Sequence, residues 1–350
     1  MQILSVVGAR PQFVKLAPIA SALRGKADHV IAHTGQHYDE LMSDVFFQDL
    51  GIPAPDYNLA VGSGPHGQQT GTMLAGLERV FDQVRPDWVL VYGDTNSTLA
   101  AAIAAAKMHI PVAHLEAGLR SFNRRMPEEH NRVLTDHAAD LLLAPTEVAM
   151  KHLTNEGLAG RSVLVGDVMT DVLYLTRDAI AAKQQSLPLG LSLRGYYVST
   201  IHRPDNTDDA NRLTCIVEQL AALDKPVLLL AHPRLRAMAS QHEINLSQGS
   251  IKPIDPLAYP ELISAVQHSA GVVTDSGGLQ KEAFLLRVPC TTVRPETEWV
   301  ETVELGWNVL VSEDLTQLGP AVTRRPPDPT AATPYGSGEA AAAVVHALLT

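Results

Sequence analysis

The sequence holds only two cysteines, Cys215 and Cys290, and neither stands in a Cys-x-x-Cys or Cys/His spacing. That excludes a disulfide framework or a zinc cluster as the source of stability and fits a reducing compartment. Basic residues are scarce as well: 27 Lys and Arg face 38 Asp and Glu, a formal net charge of −11. A broad cationic surface for nucleic acid or an anionic membrane is therefore not expected, while a local basic pocket is compatible with the balance. No apolar run nears the roughly 18 residues that cross a bilayer. The opening stretch has no basic start, and its apolar run ends at Gly8, so a soluble chain that stays in the cytoplasm is expected. Charged residues amount to 19%, without the charge excess of a disordered chain.

What is present is 45% apolar content over 350 residues, enough for two cores rather than one. Short apolar runs ending in Gly, Asp, Thr or His alternate with helical patterns, as in a parallel sheet with helices on both faces. Six such runs open the chain: Ile3 to Val7, Val30 to His33, Trp88 to Tyr92, Val112 to Leu115, Leu141 to Leu143 and Val163 to Val165. A helical stretch from Val168 to about Lys183 follows, then a turn-rich hinge, Gln184 to Gly195. Six further runs, Tyr197 to Ile201, Val227 to Leu230, Ile251 to Ile254, Val272 to Thr274, Cys290 to Val293 and Val309 to Val311, repeat the alternation. The expected organisation is a doubly wound α/β domain over 1–183, a hinge over 184–195, a second such domain over 196–336 and a closing helix over 337–350. The proline-rich stretch Pro320 to Pro334 is expected to be non-helical. Ligands of open α/β sheets bind outside the carboxyl ends of the strands, so two such domains are expected to face a cleft, and the loops after the strands should hold the chemistry.

Those loops are rich in charge. Gly8-Ala9-Arg10-Pro11 follows the first strand, with Pro11 suited to a first helical turn and Lys15 one turn on, which places two cations near a strand end. Gly93-Asp94-Thr95-Asn96-Ser97, His114-Leu115-Glu116-Ala117-Gly118-Leu119-Arg120 and Pro127-Glu128-Glu129 bring carboxylates toward one edge. Asp94 is also a good N-cap for a helix from Thr95 to His109; Glu116 has no helix to cap. Neighbouring carboxylates repel and raise one another's pKa, which lets one hold a proton while another accepts one, as a reversible C–H proton transfer requires.

In the second half, His202-Arg203-Pro204 and His232-Pro233 occupy equivalent strand ends. Thr274-Asp275-Ser276-Gly277-Gly278 then opens a helix carrying Glu282 on its second turn. Exposed N–H groups and a helix dipole there favour a diphosphate, and a carboxylate one turn on suits two ribose hydroxyls. Gly62-Ser63-Gly64-Pro65-His66-Gly67 matches G-x-G-x-x-G but lies far from the first turn and is interrupted by Pro65, so no NAD site is read there. A helix from Gln68 to Val84 is expected after it. His33 and His37 flank a turn and cannot form a zinc pair on one helix face.

With Gly8-Ala9-Arg10-Pro11, Thr34-Gly35-Gln36-His37, Gly93-Asp94-Thr95, Glu116-Ala117-Gly118-Leu119-Arg120, Pro127-Glu128-Glu129, His202-Arg203-Pro204 and Thr274-Asp275-Ser276-Gly277-Gly278 in this order, the chain resembles the non-hydrolysing UDP-N-acetylglucosamine 2-epimerases over nearly its whole length. The resemblance implies a glycosyltransferase-B-type pair of Rossmann-like domains, no metal or other cofactor, a homodimer, and interconversion of UDP-GlcNAc and UDP-ManNAc for surface polysaccharides. The implied route removes the C2 proton with loss of UDP, giving a 2-acetamidoglucal, and then returns UDP with protonation on the opposite face. Carried over residue by residue, Asp94, Glu116, Glu128, His202 and Lys15 are the catalytic candidates. Arg10, Lys15, His202, Ser276, Gly277, Gly278, Glu282 and Arg294 are the substrate-binding candidates. Gln36, His37, Glu129 and His232 correspond to positions for an activating second ligand.

The chain departs from the family at three places. Thr297-Glu298-Trp299-Val300-Glu301 replaces Thr-Glu-Arg-Pro-Glu, the loop before Pro127 varies in length and leaves Glu128 and Glu129 to be distinguished, and Gln36-His37-Tyr38-Asp39 with Gln68-Gln69 stands where activated members have Gln-His-x-Gln and an arginine. Rival readings are the same chemistry on a UDP-diacetamido-uronic acid, a nucleotide-sugar glycosyltransferase of the same fold, and a non-catalytic nucleotide-sugar sensor. Neither of the last two needs three carboxylates near a sugar carbon.

Overall fold

The structure, a computed structural model, describes residues 1–36, 53–183 and 190–350, with the side chains of Arg10, Ala182 and Lys183 outside that description. Thirteen strands are described, and every pairing between them is parallel. The first sheet contains β1 (Gln2–Val7), β2 (Asp28–His33), β3 (Tyr57–Asn58), β4 (Trp88–Tyr92), β5 (Val112–Leu115), β6 (Leu141–Ala144) and β7 (Ser162–Leu164), in the order β3-β2-β1-β4-β5-β6-β7. The second contains β8 (Tyr197–Thr200), β9 (Val227–Leu230), β10 (Ile251–Ile254), β11 (Gly271–Thr274), β12 (Cys290–Thr292) and β13 (Asn308–Leu310), in the order β10-β9-β8-β11-β12-β13. Both orders reverse direction once, at β1/β4 and at β8/β11. Such switch points leave a crevice at the strand carboxyl ends, because the loops on either side turn away to opposite faces of the sheet.

The chain divides into two compact units, Met1–Tyr174 with Thr333–Thr350, and Leu175–Ala332. The dividing point lies inside the helix Val168–Lys183, and the final helix, Ala340–Leu349, belongs to the first unit. That helix lays Ala340, Val344 and Leu348 against Ile3, Leu16 and Ile19 in one buried cluster. The Asp171 carboxylate anchors its start by accepting from Ala340 N (3.1 Å) and Ala341 N (2.8 Å). On the other sheet face the helix Asn96–Lys107 buries Ala100, Ala101, Ala104 and Ala105 completely. Alanine both favours the helix and lets its backbone approach the strands closely.

All twelve strands expected from the sequence are present, their ends shifting by at most two residues; β3, two residues long, was not foreseen. Three expectations are corrected. The helix expected from Gln68 begins two residues earlier, at His66. The helix expected from Ser337 begins at Ala340, because Gly336 and Gly338 take φ of 87° and 90°, outside helical space. A short helix, Leu318–Val322, includes Pro320, in the region expected to be non-helical. The ring is tolerated because first-turn N–H groups have no intrahelical acceptor to lose.

The turn after β1 is the tightest of the switch-point loops. A Cβ on Gly8 would lie far inside contact distance of Thr34 Oγ1 and Ser97 Oγ, two hydroxyls that bond each other at 2.8 Å. Gly8→Ala should therefore destabilise the fold by about 1–3 kcal/mol through overpacking, read as a lower midpoint in urea unfolding followed by far-UV circular dichroism.

Candidate functional site

In the first unit the crevice at β1/β4 is built by a glutamine. Buried Gln12, on the helix Arg10–Leu23, accepts from Gly8 N (2.8 Å) and Ala9 N (3.0 Å), and its amide donates to the Tyr92 carbonyl (2.8 Å) and Thr98 Oγ1 (3.0 Å). One side chain thus ties the β1 turn to the β4 turn. One helical turn beyond Ala9-Arg10-Pro11, nearly buried Lys15 forms an ion pair with Glu116. Burial alone would lower the Lys15 ammonium, yet Glu116, with Asp94 and Asp167 around it, holds it above its ordinary value. Glu116 follows β5 with φ 72°, a left-handed conformation that a glutamate adopts only when its surroundings enforce it. Gly93, at φ 63°, is glycine for a related reason: a Cβ there would press on Glu116 Oε2 and Lys15 Nζ.

Asp94 does not cap the helix that follows. Thr95 does, accepting from Thr98 N, while the Asp94 carboxylate pairs with Arg132 at 2.6 Å. Each of these two carboxylates has a cation of its own, Arg132 for Asp94 and Lys15 for Glu116.

Glu128 and Glu129 are separated by the fold. Buried Glu129 accepts from Ser121 N (2.9 Å), Ser121 Oγ (3.0 Å) and Phe122 N (2.9 Å) and pairs with Arg132 at 3.0 Å. Burial works against its charge, but these donors outweigh it and hold the carboxyl below its usual range. Glu128, on the first turn of the helix Pro127–Ala138, is exposed and has no hydrogen bond or ion pair among the described residues. Gln36, placed among the regulatory candidates, accepts from Ser97 N (3.1 Å) and Oγ (2.7 Å) at the start of the helix Asn96–Lys107. His37 and the Arg10 side chain lie outside the described residues.

Beside these groups a pocket of about 500 Å³ is lined by His66, Asn96, Arg124, Arg125, His130 and Asn131, among others. Asn131 donates to the Asp94 carbonyl at 2.9 Å, which joins this pocket to the carboxylate turn. Neither the Arg124 nor the Arg125 guanidinium has an ion pair among the described residues.

In the second unit the organiser at β8/β11 is an aspartate. Fully buried Asp275 accepts from His202 N (3.0 Å), Arg203 N (2.9 Å) and Asn206 Nδ2 (3.0 Å), and the His202 ring lies 3.3 Å away. Burial lowers the His202 imidazole, Asp275 opposes, and His232, its ring 5.5 Å off, with Arg203 adds to the lowering; the net direction is down. His232 itself caps the helix Pro233–Gln241 by accepting from Arg234 N at 3.2 Å.

Ser276 is the N-cap of the helix Gly277–Leu285 but gives no side-chain capping bond. A Cβ built on Gly278 would meet nothing within 4 Å, and one on Gly277 would meet only Arg294 and Glu298 at 3.9 Å. The protein's own packing does not demand glycine at either place. Glu282 is buried on that helix. Arg294, expected on the nucleotide, is buried and held by both oxygens of Glu298 at 3.0 and 3.1 Å. Lys281 stacks over the Trp299 ring, 4.1 Å from its centre, which gives the tryptophan standing at the family's arginine position a cation of its own.

Sequence reasoning missed Gln12, Arg132 and Asp275 as builders of these turns. Asp275 sat inside a quoted motif, but its partners lie about seventy residues away in the chain; nothing in the local pattern of Gln12 or Arg132 announces theirs.

Two doubly wound parallel α/β units, one gathering paired carboxylates and cations and the other opening a helix on bare glycines, define a nucleotide-sugar enzyme class. The chain belongs to the UDP-N-acetylglucosamine 2-epimerase family, whose model matches residues 21–349. It is 50% identical over 321 residues to the UDP-2,3-diacetamido-2,3-dideoxy-D-glucuronate 2-epimerase of Pseudomonas aeruginosa, covering 89% of this chain and 88% of that one. It is 43% identical over 337 residues to the UDP-N-acetylglucosamine 2-epimerase of Methanocaldococcus jannaschii, covering 92% and 91%. A crystal structure of the M. jannaschii UDP-GlcNAc 2-epimerase in complex with UDP-GlcNAc and UDP superposes with a TM-score of 0.86 at 40% identity over 99% of each chain.

The environments of the two adjacent glutamates give opposite expectations. Glu129→Gln turns one acceptor oxygen into a donor among four donors and should cost about 1–3 kcal/mol at neutral pH. Because the folded pKa of Glu129 is depressed, the wild-type advantage is present above the unfolded carboxyl pKa and is lost as pH falls through the folded value. Glu128→Gln should change stability by less than about 0.5 kcal/mol. Urea melts of both variants at neutral pH and near pH 3 test the pair.

Proposed function

We propose that this chain interconverts UDP-N-acetylglucosamine and UDP-N-acetylmannosamine by inversion at C2. The observation that carries the reading is the paired set Lys15–Glu116 and Arg132–Asp94 at the carboxyl edge of the first sheet, in a chain of the epimerase family. A carboxylate removes the C2 proton, the C1–oxygen bond breaks with its electron pair leaving on UDP, and a 2-acetamidoglucal results. Return of UDP to C1 with delivery of a proton to the opposite face of C2 gives the epimer. Two faces of one carbon need two proton carriers. Asp94 and Glu116 are supplied with cations, and Glu128 is exposed and free to meet substrate, so the pair is drawn from these three.

Departing UDP needs positive charge. The open N-terminus of the helix Gly277–Leu285 presents N–H groups where Gly277 and Gly278 leave room for a diphosphate. His202 gains its proton most readily when an anion arrives, since the phosphate opposes the burial and the neighbouring charges that otherwise lower it. Glu282 suits the ribose hydroxyls. The two cysteines without a disulfide spacing and the absence, among the described residues, of a helix long and apolar enough to cross a membrane support a cytoplasmic enzyme, and the family supports a homodimer.

A second reading, on UDP-2,3-diacetamido-2,3-dideoxy-glucuronate, is favoured by the relative at 50% identity and by Arg124 and Arg125 in the pocket beside Asn131. That sugar differs from N-acetylglucosamine by an acetamido group at C3 and a C6 carboxylate, and for the carboxylate an unpaired guanidinium is the natural partner.

Incubation with UDP-GlcNAc in D2O, followed by NMR, should give UDP-ManNAc with deuterium at C2 in both epimers. Of Asp94→Asn, Glu116→Gln and Glu128→Gln, the two that remove a proton carrier should each lower turnover by about 10²–10⁴, while UDP binding persists in all three. Sugar transfer to an acceptor without C2 exchange, or UDP binding without turnover, overturns the proposal. Under the second reading the diacetamido-glucuronate exchanges faster, and Arg124→Ala with Arg125→Ala raises its KM more than about tenfold, a loss of one charged contact, leaving UDP-GlcNAc unaffected.

A further inference from the structure

His114, the third residue of β5, is fully buried, and both of its ring nitrogens meet acceptors. Nε2 lies 2.7 Å from the Gly93 carbonyl oxygen, a group that only accepts, so Nε2 carries a hydrogen. Nδ1 lies 2.6 Å from Asp136 Oδ1. Asp136, also fully buried, accepts from Gly118 N at 3.0 Å and pairs with Arg120 at 2.7 Å, three donors around one carboxylate. Independently of the histidine, the Arg120 guanidinium and the Gly118 N–H favour the ionised form of the Asp136 carboxyl. An ionised carboxylate has no proton to give, so Nδ1 carries one as well.

The geometry points to His114 as a permanently doubly protonated imidazolium that positions the Asp94 and Glu116 turns. The charge count agrees. Arg120 is bound by both oxygens of Glu156 at 2.8 Å, so Asp136 and Glu156 bring two negative charges against one guanidinium. A neutral histidine would set a lone pair against an oxygen at bonding distance and leave fully buried Asp136 to share its guanidinium with Glu156. The imidazolium adds a second positive charge directly against Asp136. The other titratable and charged groups in reach among the described residues are His137, 3.3 Å from Glu156, Arg161, which donates to the Asp136 and His137 carbonyls, His152, 2.9 Å from the Gly118 carbonyl, and the Lys15–Glu116 pair against the Gly93 turn.

The placement matters because of what the pair grips. His114 holds the carbonyl of Gly93, the residue before Asp94, and Asp136 holds the N–H of Gly118, two residues after Glu116. Gly93, Glu116 and Gly118 all have φ between 63° and 83°, conformations maintained by outside contacts. One buried ion pair therefore sets the backbone of both turns that present the carboxylates. His114 touches no substrate in this account; it is a positioning residue, and that role, unlike its charge, rests on the function proposed above.

The charge is tested on the unmodified, substrate-free protein. With 15N-labelled histidine, long-range proton–nitrogen correlation spectra should show both His114 ring nitrogens protonated from about pH 6 to about pH 9, far above where an ordinary imidazole titrates; the signal is assigned by its loss in His114→Gln. One unprotonated ring nitrogen at neutral pH overturns the inference. The positioning role is tested by the kinetics. His114→Gln should lower kcat about tenfold or more with KM within about twofold, the mark of lost transition-state alignment rather than lost binding. Asp136→Asn releases the ring proton, so its kcat should fall as pH rises through neutrality more steeply than that of the wild type. A pH profile in Asp136→Asn matching the wild type overturns the positioning role. Absence of C2 exchange in the wild type instead removes the function, while the nitrogen spectra still decide the charge.

Discussion

The ion pair between Lys15 and Glu116 is the constraint around which the first unit is arranged. Two charges taken out of water gain little net stability, because the desolvation penalty offsets most of their attraction. The fold nevertheless spends a positive φ at Glu116, a glycine at Gly93 and a fully bonded glutamine at Gln12 to bring them together. Such an arrangement is costly as architecture and sensible as chemistry. Under the function proposed above, it keeps a cation and a carboxylate ready at the sheet edge where a leaving anion and an acidic C–H have to be handled together.

The second unit solves a different problem with similar topology. At its switch point the anion site proposed above uses little fixed charge: glycines that no neighbour requires, an N-cap serine that gives its hydroxyl to no capping bond, and an imidazole that burial and its neighbours hold below its ordinary pKa until an anion arrives. Charge is used sparingly there. Asp275, the one fully buried carboxylate at that turn, spends its bonds on backbone N–H groups and Asn206, fixing the loop that displays His202. Under the function proposed above, the acidity of the whole chain is no obstacle to an anionic substrate, since dipoles and one imidazole would provide the local field.

The sequence made most of this fold legible because buried parallel strands are written as compact apolar runs, such as Trp88–Tyr92 and Val112–Leu115, and the loops after them carried Asp94, Glu116, His202 and Gly277 in plain view. It hid what depends on distant partners. Nothing near Gln12 reveals a bond to a carbonyl eighty residues on, and nothing local separates Glu128 from Glu129; the difference arises only when the 121–122 turn folds over one of them. Pro320 misled for the opposite reason, since its local rule is sound but does not bind in a first helical turn. Arg294 looked available in the sequence because Glu298, one helical turn away in spacing, gives no sign that it will take both guanidinium bonds.

The final helix bears on how such a chain assembles. Residues 175–332 are contiguous, whereas the core of the other unit closes only when Ala340, Val344 and Leu348 reach Ile3 and Leu16. On a ribosome the earliest-made strands must therefore wait, partly uncovered, while the inserted unit emerges and is free to fold first. Completion of the early sheet is thus timed by residues 340–349, which leave the ribosome after the whole inserted unit, rather than by its own strands.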